Sequence, residues 1–164
     1  MKFSLLTFIF PWKACLYLSL ALLPVLIVLN FYGLYSNQFY LLKVDNYIFP
    51  MVSILHFVYL YALWFKIRES EYPDHPLRNV EYGMYAVLII YLFQLADTGL
   101  ILNTYSEFQS HIIPETFLPV GVLMFGLQLL LILLTFASFG HRRKQVGEFD
   151  FDAINENLDS WPNG

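Results

Sequence analysis

The sequence predicts an all-α membrane protein: a bundle of four transmembrane helices with both termini cytoplasmic, short loops and an acidic cytoplasmic tail. Three observations carry this. The 164 residues are 58% hydrophobic and 13% charged, against roughly 25% charged in soluble domains. Four apolar stretches reach the roughly 20 residues needed to cross the hydrocarbon core. Basic residues gather in alternate loops, as they do in multi-pass proteins.

The chain begins MKFSLLTFIFPWKAC. Its positive start and short apolar run resemble a signal peptide, but Lys13 interrupts the run and no small-x-small cleavage site follows. Residues 1–13 are expected to be a retained segment lying in the cytoplasmic interface. The transmembrane domain is placed at 14–139, with spans at about 14–35, 46–65, 83–103 and 117–139. Pro24 is expected to kink the first span. A soluble bundle would need broad polar outer faces at helical period, and these stretches carry only narrow polar stripes.

Orientation follows from the charges. Lys2 and Lys13 precede the first span, Lys66, Arg68 and Arg78 lie between the second and third, and Arg142, Arg143 and Lys144 follow the fourth. The two other loops hold Lys43 alone, so eight of the nine basic residues share one side, the cytoplasmic one. Trp12, Tyr35, Tyr47, Trp64, Tyr82 and Tyr105 stand at the expected boundaries, where amphipathic rings settle. The compact loops suggest the cytoplasmic membrane of a bacterium. The loop after the second span, with two prolines and mixed charge, is expected to cap adjacent helix ends.

Each span also carries polar residues on one stripe. At 100° per residue, Tyr91, Gln94, Asp97 and Thr98 share a face of the third helix. Ser53, His56 and Tyr59 do so on the second, Ser19, Asn30 and Gly33 on the first, and Gly121, Gln128 and Thr135 on the fourth. Four such stripes suggest polar faces turned inward. At 1.5 Å per residue, His56, Gln94 and Gln128 lie near mid-span, with Asp97 and Asn30 nearer the outer face. The expected intramembrane polar cluster is therefore Asp97, Gln94, His56, Gln128, Asn30 and Tyr91, with His56 or Gln128 as partner of Asp97. A carboxylate at the helix centre costs about 2.5–3.5 kcal/mol on insertion scales. It calls for a partner, a water-filled cavity or a proton.

Other chemistry finds little footing. Cys15 stands alone, which rules out an intramolecular disulfide or a thiolate cluster. Glu107, His111 and Glu115 are four apart, but Pro114 breaks the helix that would align them, and no metal or other cofactor is assigned. No nucleophile-base pair or paired carboxylates stand at a useful spacing, so catalysis is not expected. A net charge of −4 gives no basic surface for nucleic acid.

Residues 140–164 form the expected cytoplasmic tail. After Lys144 come five acids and no basic residue, yet large apolar side chains persist. Phe151, Ile154, Leu158 and Trp161 are spaced three, four and three, along one helix face. With Phe149 they form the expected partner-docking residues, since a plain disordered tail lacks such side chains. The functional expectation is a non-catalytic membrane subunit that oligomerises in the lipid bilayer and recruits a cytosolic protein through residues 145–164. It would serve as sensor or anchor of a two-component assembly such as an antiviral-defence module. The alternative is a small proton- or cation-conducting channel or carrier built on Asp97.

Overall fold

A computed structural model of the chain describes residues 4–105 and 113–149. Four long helices cross the molecule: α2 (Trp12–Asn30), α3 (Ile48–Glu69), α4 (His75–Asn103) and α5 (Phe117–Gln145). A short α1 (Ser4–Ile9) precedes them. All four are long and apolar enough to span a membrane. Each packs on the next in chain order, and α5 closes the ring on α2. Large apolar side chains cover the outside, among them Met51, Ile54, Tyr61, Ile89, Phe93 and Val122. Such a surface suits hydrocarbon as its solvent.

The helix boundaries differ from the sequence expectation at several ends, each for a local reason. The first span stops at Asn30 rather than continuing to residue 35. Tyr32–Gly33 (β1) instead pairs antiparallel with Gln38–Phe39 (β2). Asn37 closes that hairpin at φ 54°, a left-handed conformation that asparagine tolerates better than most residues. The chain then enters α3 through a 3-10 turn, Val44–Tyr47. At the other end α3 stops at Ser70, also left-handed, whose N–H bonds to the Lys66 carbonyl.

The third span starts eight residues earlier than hydropathy alone suggests, at His75. Asp74 caps it, its Oδ1 accepting the Leu77 N–H at 2.9 Å, and Pro76 sits in the first turn, where its missing N–H costs nothing. Lys66 reaches Asp74 and Glu71, both at 2.7 Å, so this loop does fasten the ends of α3 and α4. Burial alone would raise the Asp74 carboxyl. The bonds from Lys66 and the Leu77 N–H outweigh it and hold the acid below its ordinary value.

Most polar-stripe side chains are buried: Ser19, Ser53, His56, Tyr59, Tyr91, Gln128 and Thr135. Ser53 and Thr135 satisfy themselves on carbonyls of their own helices, at Phe49 and Leu131. The centre of the bundle is otherwise apolar, built on Leu23, Leu60, Met84, Leu131, Leu134 and Phe139.

Candidate functional site

The hairpin and the adjoining ends of α2, α4 and α5 enclose a cavity of about 490 Å³. Asn30, Gln94, Asp97 and Gln128 line it, with Thr98, Ile101 and Met124 from the helices. The connection from α2 to α3 contributes Tyr32, Tyr35, Ser36, Tyr40, Lys43 and Asn46. Four of the six residues of the expected polar cluster therefore meet here.

The other two do not. His56 Nδ1 lies 3.1 Å from the Tyr91 hydroxyl, in a buried pair between α3 and α4. Tyr91 also packs against Phe49, and neither His56 nor Tyr91 lines the cavity. The expected pairing of His56 with Asp97 gives way to this bond. Tyr91 stands six residues before Asp97, about 9 Å along the helix, and meets His56 where α3 and α4 are in direct contact.

Bonding inside the cavity wall is directional. Asn30 Nδ2 donates to the Asn46 carbonyl at 2.5 Å, and Gln94 Nε2 donates to Asn30 Oδ1 at 3.1 Å. The second bond crosses from α2 to α4, two helices that face each other across the ring. Asn46 Nδ2 donates to the Tyr40 carbonyl, and the Tyr32 hydroxyl donates to Asn37 Oδ1. These bonds fasten the hairpin over the helix ends and engage one N–H on each of the Asn30, Asn46 and Gln94 amides.

The acceptors fare otherwise. Asp97 is exposed, and among the described residues it makes no hydrogen bond or ion pair, although Lys43 lines the same cavity. Gln128 is 9% exposed, and its Oε1 is buried with no hydrogen-bond partner among the described residues. An unpaired buried acceptor costs about 1–3 kcal/mol. Six residues separate Asp97 from the end of α4, about 9 Å at helical rise. The acid therefore faces an open cavity near the bundle end, and the full cost of a mid-membrane carboxylate does not arise.

The opposite end holds a site that the sequence did not disclose. Arg142 Nε and Nη2 grip Glu81 Oε2 and Oε1 at 2.5 and 2.6 Å, with both side chains 2–3% exposed. Arg142 Nη1 donates to the Gly147 carbonyl at 2.8 Å, and the Phe149 ring lies 4.2 Å from the guanidinium carbon. Gly147 has φ +111°, a region that favours glycine, and it turns the chain back so that Phe149 reaches the cation. Beside this clamp, His141 Nε2 donates to the Phe10 carbonyl at 2.7 Å, tying the segment after α1 to α5. Of the five expected docking residues, Phe149 thus packs on its own chain. Phe151, Ile154, Leu158 and Trp161 lie outside the described residues.

Glu81 was missed because it precedes the expected start of the third span and read as loop. Its signal was available: an acid on the helical period of the apolar residues Leu77, Met84 and Leu88, all of them buried. Lys43 and the three cavity tyrosines had no such signal, since a hairpin and not a helical stripe brings them in. No group of three or more metal-ligating side chains occurs among the described residues. No protein-family model, curated protein or solved structure matches the chain.

Proposed function

We propose that this chain is a non-catalytic integral membrane subunit that binds a small polar ligand in its cavity and presents a tail to a cytosolic protein. The observation that carries the binding half is the cavity itself: about 490 Å³, within the range of small-molecule sites, with polar side chains from three helices and the hairpin in its wall. With both termini cytoplasmic, as the basic residues direct, the cavity opens to the outer face. Below Gln128, α5 continues for roughly 25 Å at helical rise, against buried Leu23, Tyr59 and Met84. That apolar floor favours binding over conduction through a single chain.

Support for the second half is the clamp at the far end of α5. The helix that places Gln128 in the cavity also places Arg142 on Gly147 and Phe149, where the acidic tail begins. Occupancy that moves α5 along its axis or about it would move the tail's point of departure.

Labelling of an introduced thiol tests the reading. In a Cys15→Ala background, Gln128→Cys in sealed vesicles of known orientation is expected to react with a membrane-impermeant thiol reagent from the outer side only. Reaction from both sides would favour the conducting alternative, and reaction from neither would remove the cavity. The tail is tested separately: removing residues 150–164 should leave membrane insertion intact and abolish partner recovery in mild detergent. Undiminished recovery by the shortened chain would sink the docking idea.

A further inference from the structure

Resting on the binding reading above, we infer that the cavity takes a small organic ammonium ion carrying at least one N–H. Its charge would sit on Asp97, its N–H on Gln128 Oε1, and its body among the tyrosines of the hairpin.

Asn30, Gln94 and Asn46 of the wall each have one amide N–H bonded to a protein acceptor. Among the acceptors left without a partner are the Asp97 carboxylate and the Gln128 carbonyl oxygen, the latter on a side chain more than nine-tenths buried. Two free acceptors, one of them charged, ask for a cationic donor. Tyr32, Tyr35 and Tyr40 line the same space, and aromatic faces attract organic cations.

The chemistry also separates this ligand from its competitors. Calcium takes six to eight oxygen ligands, and among the described residues Asp97 is the one carboxylate lining the cavity. A quaternary ammonium would satisfy the rings and Asp97 but has no proton to give Gln128. An anion would find Lys43 in the same space but would also face the Asp97 carboxylate, which repels it.

The experiment uses full-length protein in lipid nanodiscs, with 2-phenylethylamine, phenyltrimethylammonium, phenylacetate, potassium chloride and calcium chloride as probes. Thermal stabilisation and calorimetric titration give the readout. 2-Phenylethylamine is expected to raise the Tm and bind at least tenfold tighter than any other probe. Asp97→Asn and Gln128→Leu should each weaken it at least tenfold while leaving the ligand-free Tm within a few degrees. Equal binding of the quaternary ion, or amine binding untouched by Gln128→Leu, overturns the assignment of Gln128. Preferential binding of phenylacetate or calcium, lost in Gln128→Leu, overturns the ammonium inference and leaves the binding site standing. If no probe binds and Gln128→Cys is also unreactive, the binding reading falls with it. If none binds while that thiol reacts from outside, the ammonium inference alone is refuted.

Discussion

Removing one partner of the Glu81–Arg142 pair should be among the most damaging single changes this protein can suffer. Both side chains are 2–3% exposed and joined by two parallel hydrogen bonds, so solvent screening gives little relief. Truncating either strands the other charge in the bundle, which costs about 3–5 kcal/mol. Arg142→Ala carries an extra loss: it frees the Gly147 carbonyl and the Phe149 ring, worth about 1 kcal/mol together. For a chain of this size 1 kcal/mol moves Tm by about 2–4 °C, so truncating Glu81 should lower Tm by roughly 6–20 °C and Arg142→Ala by roughly 8–24 °C. The double replacement Glu81→Met with Arg142→Met removes both charges and keeps volume, and should lose well under half of that. Thermal unfolding in detergent, followed by intrinsic fluorescence and size-exclusion, measures all three. Single losses below about 2 °C, or a double loss equal to the sum of the singles, would refute the reasoning that the charges depend on each other.

Further expectations concern other parts of the molecule. Asp74→Asn keeps a cap on α4 but loses the charge that meets Lys66. Because the Asp74 carboxyl is held below its ordinary value, its contribution is fully present above about pH 4. That contribution fades as pH falls through the lowered value, so the Tm gap between wild type and Asp74→Asn should close on acidification. The gap should be small throughout, since the Asp74 side chain is 41% exposed; a gap that widens below pH 4 contradicts the sign. Tyr91→Phe removes the bond to His56 and should cost about 0.6 kcal/mol, at most about 1.7, with ligand binding unchanged because the pair lies outside the cavity; a loss of ligand binding would refute that separation. Gly33→Ala brings a new Cβ within 2.5 Å of the Tyr40 ring and 2.8 Å of Ser36 Oγ. A ring yields less readily than a flexible side chain, so Tyr40 should move, and 2-phenylethylamine binding should weaken at least threefold with little change in Tm. Unchanged affinity would remove Tyr40 from the site.

The sequence disclosed the spans because lipid demands an apolar surface whatever the partner helix is, and that demand is written locally. It disclosed four cavity residues for a related reason: Asn30, Gln94, Asp97 and Gln128 each interrupt an apolar run at similar depth. The helix ends were less legible. Tyr32 and Gly33 are uncharged and follow the apolar span directly, so a hairpin strand read as a continuation of the helix. His75 to Tyr82 read as loop because hydropathy falls at charged residues, whereas a capped helix continues wherever its hydrogen bonds are met. The Glu81–Arg142 pair is a contact between residues 61 positions apart, and only the packing of α4 on α5 brings it about. His56 shows the same limit from the other side: depth placed it near Asp97, but Tyr91 was the group within reach.

The single helix that carries Gln128 at one end of the molecule and Arg142 near the other also restricts how the chain can change over time. One residue inserted or lost between them would swing Arg142 by about 100°, carrying the guanidinium off Glu81 and the tail's first turn with it. Substitutions along that stretch need only preserve packing; changes in its length break a register.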